Sequence, residues 1–153
     1  MSIHAYYTDH CTIAVPQGFR DRSMNMLEWT TPEGDSIVLA LQREKLPASG
    51  SGEEVPTAAD LERYVAQQIK GYPAQFAGFH LERDEVAAGE WGFPMHRKAF
   101  RWRKDQDVFY HLQVFALVGE HVVVLTCASK ARQRGAVDTL MEDALRSFRV
   151  RGG

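Results

Sequence analysis

Cysteine is scarce in this chain: Cys11 and Cys127 are the only two. That excludes a disulfide framework. Both lie in strand-like apolar runs, so buried free thiols in a reducing cytoplasm are expected rather than a bridge. Histidine is present but never grouped. His4, His10, His80, His96, His111 and His121 are scattered singly, and only His111 and His121 could meet, across a hairpin. There is no glycine-rich phosphate loop, no Gly-x-Ser-x-Gly elbow and no His-Glu-x-x-His helix. An enzyme would have to be assembled from His111, Cys127 and acidic loop residues, which form no constellation. No catalytic residue, cofactor or metal is therefore expected.

Long apolar runs are missing too. Val122-Val123-Val124-Leu125 is among the longest, far too short to cross a bilayer, so no direct membrane insertion is expected. The first residues lack a basic region followed by an apolar one, so no secretory signal is expected either. Charge of one sign is not in excess. The 18 lysines and arginines against 20 acids leave a formal charge of -2, which gives no push toward nucleic acid.

What is present is ordinary globular material. The 153 residues are 44% hydrophobic and 25% charged, enough for one sizeable core and one domain over residues 1–153. A first strand is expected within Ala5 to Val15, ended by Pro16. Strands follow at Ser23 to Thr30 and Ser36 to Gln42, joined by a turn with Pro32 and Gly34. Lys45 to Pro56 reads as a flexible loop. Thr57 and Asp60 mark a helix start. Leu61, Tyr64, Val65, Ile69 and Tyr72 then recur at helical spacing, and Pro73 is expected to end or kink the helix near Gly71, with one further turn before Gly78. Strands are expected at Phe79 to Val86, Met95 to Arg103, Val108 to Leu117 and His121 to Ala128, with a short extended piece at Trp91 to Phe93. A final helix runs from a Ser129 cap to about Phe148, burying Ala136, Leu140, Leu145 and Phe148. The order implies an α+β fold: an antiparallel sheet of about six to seven strands with two main helices packed on it.

Three strands carry unusual faces. Along Ser23 to Thr30, Met24 and Met26 point one way and Leu27 and Trp29 the other. Methionine is flexible and polarizable, suited to gap filling in a core or to a surface that accepts varied apolar partners; the pattern leaves both open. In Val108 to Leu117, one face is Val108, Tyr110, Leu112, Val114 and Ala116, a core side. The other is Phe109, His111, Gln113, Phe115 and Leu117, too apolar for bulk solvent yet centred on an amide that needs a partner. Either a second layer covers it, or it lines a groove in which Gln113 bonds an apolar ligand. On Met95 to Arg103 the basic residues Arg97, Arg101 and Arg103 alternate with Phe100 and Trp102, so a solvated basic face is expected rather than a nucleic-acid platform.

Several short pieces recur in order: a strand ending at Pro16; Arg20-Asp21-Arg22-Ser23-Met24-Asn25-Met26, close to Gln/Arg-Asp-x-Ser/Thr-aliphatic-Asn-aliphatic; Tyr64-Val65-Ala66-Gln67-Gln68-Ile69; Gly78-Phe79; and Gln113-Val114-Phe115. Together they resemble the Eag chaperones of bacterial type VI secretion, a DcrB-related branch with a PsbP-like fold. The resemblance implies a cytoplasmic, non-enzymatic homodimer. Its concave sheet surface would hold the N-terminal transmembrane helices of a PAAR- or VgrG-associated effector. The client-binding positions would fall on Met24, Met26, Gln68, Tyr72, Phe76, Phe109 and Gln113, with Leu27 and Trp29 packing behind the methionines. Tyr72 stands where that family commonly has a small residue, and Pro73 follows it. The alternative is a PsbP-like binding module for another apolar ligand or protein partner.

Overall fold

The computed structural model describes residues 3–7, 12–16, 24–48, 55–87 and 92–149. Cys11, the Arg20 to Ser23 half of the strand motif, Trp91 and residues 49–54 of the Lys45 to Pro56 loop lie outside these residues. Where one strand was expected before Pro16 there are two: β1 (Ile3–Tyr7) and β2 (Thr12–Pro16) pair antiparallel as a separate two-stranded sheet.

The main sheet has six antiparallel strands: β3 (Met24–Thr30), β4 (Ser36–Lys45), β5 (His80–Ala87), β6 (Met95–Lys104), β7 (Asp107–Val118) and β8 (His121–Lys130). Their order across the sheet is β3-β4-β8-β7-β6-β5. Turn chemistry sets the hairpins. Gly34 closes the β3–β4 turn at φ +88°, and its N–H bonds the Thr31 carbonyl at 2.9 Å. Asp105, a residue type that tolerates the left-handed region, turns β6 into β7 at φ 57°. The strands from β5 to β8 form a meander, which returns β8 to pair with β4. The chain must therefore travel from β4 to the far edge to start β5. Helix α1 (Ala58–Gln75) makes that crossing over one face of the sheet.

Helix α1 starts as expected: the Thr57 N–H donates to Asp60 Oδ2 at 2.8 Å. Pro73 does not end it, and Ala58–Gln75 is continuous. Pro73 lies in the last turn, where it removes one N–H. The turn is held by Tyr72 packing edge-on to Phe76 at 5.3 Å and by the Phe76 N–H on the Tyr72 carbonyl at 2.8 Å. The extended piece expected at Trp91 to Phe93 is a bend at Gly92 and Phe93. Ser129 does not cap the last helix. It stays in β8 and donates to the Ser36 carbonyl at 2.8 Å. A 3₁₀ turn (Ala131–Gln133) comes between β8 and α2 (Arg134–Ser147). The turn is tied to the β3–β4 hairpin by the buried Asp35 carboxylate, which accepts from Arg132 Nε at 2.7 Å, Arg132 Nη2 at 2.6 Å and Gln133 Nε2 at 2.8 Å.

The two helices cover opposite faces. Helix α2 buries Val137, Met141 and Leu145 against Ala99, Tyr110, Leu112, Val114 and Cys127. The stripe is centred on this i, i+4, i+8 set, which leaves the expected core residue Leu140 exposed. Helix α1 buries Leu61 and Val65 against Phe115, Leu117, Val122 and Val124. Three of the five basic residues of β6 are ion-paired: Arg97 to Glu142 at 2.7 Å, Arg101 to Glu82, and Lys98, on the aromatic face, to Asp84. His111 and His121 do not meet. Their cross-strand partners on the β7–β8 hairpin are Ala128 and Val118.

Candidate functional site

Antiparallel register turns the face under α1 into rows. One row reads Met26, Ala40, Thr126, Gln113, Lys98, Asp84 from β3 to β5. The row on one side reads Met24, Gln42, Val124, Phe115, His96, Val86, and the row on the other reads Glu28, Val38, Ala128, His111, Phe100, Leu81. Met24, Met26, Gln113 and Phe109 therefore share one face. The helix lies over the β7 part of these rows, with Tyr72 above Gln113. The β4 and β3 part is left open: Val38, Ala40, Thr126 and Ala128 are half-buried, and Met24 and Met26 are 52% and 63% exposed.

The open floor can be sized. Met26 and Gln113 are three strand spacings apart, roughly 14 Å at about 4.8 Å per step. An α-helix with its side chains is about 10–12 Å across. The floor between α1 and β3 is one helix wide.

The inner wall is a cluster of rings. Tyr72 Oη donates to Gln113 Oε1 at 2.9 Å, and Gln113 Nε2 donates to Thr126 Oγ1 at 3.2 Å. Gln113, only 8% exposed, is thus held by its own chain. Burial pushes the Tyr72 hydroxyl pKa up, partly offset by this bond, so Tyr72 stays a neutral donor. Beside the pair, Phe76 packs on His111 at 5.4 Å and on Trp102 at 5.2 Å, and Trp102 stacks on Phe109 at 4.8 Å. Trp102 Nε1 donates to His111 Nε2 at 2.8 Å, and His111 stacks on Phe100 at 4.8 Å. Burial lowers the His111 pKa to about 4, so it is neutral and accepts the indole proton.

Of the seven residues singled out from sequence, Tyr72, Phe76, Phe109 and Gln113 meet in this wall. Met24 and Met26 stand across the floor. Gln68, half-buried, lies one turn before Tyr72 on α1. Leu27 and Trp29 do not pack behind the methionines. They are 66% and 54% exposed on the opposite face, because α2 sits over β6 to β8 and does not reach β3. Sequence reading missed Trp102 and Phe100 as wall residues, although their alternation with the arginines already placed them on the face of Phe109's neighbours.

The chemistry of the wall and floor is hydrophobic contact with a few amides and hydroxyls. Among the described residues no group of three or more His, Cys, Asp or Glu could hold a metal ion. Burial pushes the Cys127 thiol up to about 11, so it is no ready nucleophile. No helix among the described residues is long and apolar enough to cross a membrane.

A model of the DcrB family matches residues 11–147. The chain belongs to the DcrB family. Three solved structures show the fold that this DcrB-family chain adopts. PA94 of Pseudomonas aeruginosa, a protein of unknown function, superposes with a TM-score of 0.71 at 16% identity, over 99% of both chains. Cyanobacterial PsbP from Synechocystis sp. PCC 6803 gives 0.54 at 13%, over 97% of this chain and 92% of that one. LpqN of Mycobacterium tuberculosis, involved in cell envelope biogenesis, gives 0.50 at 12%, over 82% of each. The α+β architecture, a six-stranded antiparallel sheet with two helices, is similar to the PsbP-like fold. No curated protein matches the sequence.

Proposed function

We propose that this DcrB-family chain is a non-enzymatic chaperone and loading adaptor of the Eag type. It would act in the cytoplasm and hold the N-terminal transmembrane helix of a PAAR- or VgrG-associated type VI effector on the floor between α1 and β3. The observation that carries this reading is the pair of exposed methionines, Met24 and Met26, facing the Tyr72–Gln113 wall across a floor one helix wide.

A membrane helix in water exposes apolar surface at a cost of about 25 cal/mol per Å². A methionine rim covers such a surface without demanding one shape, and an amphipathic helix in a groove needs no catalytic group. Tyr72 sets a condition of this chain. Its hydroxyl already takes one lone pair of the Gln113 carbonyl, so a polar client group reaches Gln113 through the second lone pair, through the remaining amide hydrogen or by displacing Tyr72.

The active form in this reading is a homodimer. Edge strands normally carry guards against pairing. The β5 edge has them in Glu82, Arg83, Asp84 and Glu85, whereas β3 has only Glu28 and is exposed along its whole length. Leu27, Trp29 and Leu41 add apolar surface beside it. A second copy pairing there would cover this edge.

A second reading, a binding module for another apolar ligand or protein, is favoured by the fold likeness to PsbP and LpqN, since one fold serves many clients. Co-expression separates the two. The N-terminal segment of an effector encoded beside this chain should become soluble and co-purify with it, and the Met26→Glu variant should lose it. An effector segment equally insoluble with and without the chain rejects the chaperone reading.

A further inference from the structure

Helix α1 divides its sheet face in two, and the second half is also a cavity. On the side away from Met26, α1 and β5 frame a cleft of about 440 Å³. That lies within the roughly 300–1,000 Å³ of small-molecule sites. It is too small for a protein helix, and α1 separates it from the methionine floor. Its apolar walls are Val65 and Ile69 from α1, and Leu81 and Val86 from β5. A break in register between Leu81 and Arg83 puts both Leu81 and Asp84 on this face, despite their odd spacing.

The cleft also holds a polar group that no described residue satisfies. His96 is 7% exposed and lines the cleft, and its Nδ1 has no hydrogen-bond partner among the described residues. A buried polar atom without a partner costs about 1–3 kcal/mol, so a group that satisfies it gains free energy. The lining carries as many acids as bases: Asp84 is paired with Lys98, and Glu62 and Lys70 add one charge of each sign from α1. An ionic ligand would bring an uncompensated charge. Burial lowers the His96 pKa, so the ring is neutral and can donate or accept.

We propose that the α1–β5 cleft is a second binding site, taking a small uncharged amphiphile with a hydroxyl or carboxamide on His96 Nδ1 and an apolar tail against Val65, Ile69, Leu81 and Val86. The probe is octanamide, with octanoate and octylamine as charged counterparts. Calorimetry on the intact chain is paired with side-chain nitrogen NMR of the histidines and methyl NMR of the methionines. Octanamide should bind saturably and move the His96 Nδ1 resonance while Met24 and Met26 stay still. Both charged probes should bind at least tenfold more weakly. Ala66→Trp, at an exposed position on the cleft rim, should abolish binding with the fold retained; His96→Leu should weaken octanamide at least tenfold. The proposal is overturned if octanamide does not saturate, if all three probes bind alike, or if the signal moves at the methionines rather than at His96. Since Ala66→Trp leaves His96 in place, a folding defect in His96→Leu does not blunt the test.

Discussion

Acidification should loosen the ring wall at His111, and the size of the effect can be worked out. Burial among Phe76, Phe100 and Trp102 lowers the His111 pKa to about 4, against 6.5 for a free histidine. A depressed histidine means that the unfolded chain binds more protons between those two values. Its contribution to stability is whole above pH 6.5 and is lost as pH falls toward 4. Integrating the linkage gives a loss of about 2 kcal/mol between pH 8 and pH 5, approaching about 3 kcal/mol when both forms are protonated. His96 is also depressed and titrates from the same side, so wild type alone does not isolate His111. The informative comparison is with His111→Gln, whose carbonyl can still accept from Trp102 but does not titrate. Urea unfolding followed by circular dichroism at pH 8, 6.5 and 5 should show wild type losing about 2 kcal/mol more than the variant across that range. Equal losses in the two proteins would refute the buried, neutral His111.

Other outcomes follow from the same contacts. Tyr72→Phe removes the donor to Gln113 Oε1 and should lower stability by about 1–2 kcal/mol in urea unfolding, with the fold retained. Met24→Glu and Met26→Glu alter exposed positions, so each should change stability by less than about 0.5 kcal/mol while abolishing client capture; loss of folding would place them in the core. Met141→Ala, on the fully buried face of α2 against the sheet, should cost about 2–5 kcal/mol. Asp35 is held well below the ordinary carboxylate range by Arg132 and Gln133. Its contribution is present above pH 3.8 and lost as pH falls further, so the stability of Asp35→Asn in urea unfolding should fall less steeply below pH 4 than that of wild type.

Local rules read most of the scaffold. Thr57 with Asp60, Gly34 in its turn, and the period of two in β6 to β8 each specify structure through neighbours in sequence, and they appear where expected. What failed depended on distant partners. Pro73 is tolerated because Tyr72 and Phe76 pack on rings from β6 and β7. Ser129 was taken by the Ser36 carbonyl, 93 residues away in sequence, before it could cap a helix. The hairpin of β1 and β2 was read as one strand, although the polar Thr8-Asp9-His10 interrupts the apolar pattern between them. At the candidate site, alternation fixed which face each residue takes. It could not say which parts of that face a helix would cover. Only the path of α1 from β4 to β5 decides that Gln113 is roofed by Tyr72 while Met24 and Met26 stay open.

Methyl NMR tests directly whether Met24 and Met26 hold the client. The chain has five methionines, of which Met95 and Met141 are buried and Met24 and Met26 exposed. Titration with a synthetic peptide of the effector's transmembrane helix, kept in solution without detergent, should shift the Met24 and Met26 methyl signals saturably and leave Met95 and Met141 unmoved. If the peptide leaves Met24 and Met26 where they were, or perturbs only the buried pair, the floor between α1 and β3 is not the client site.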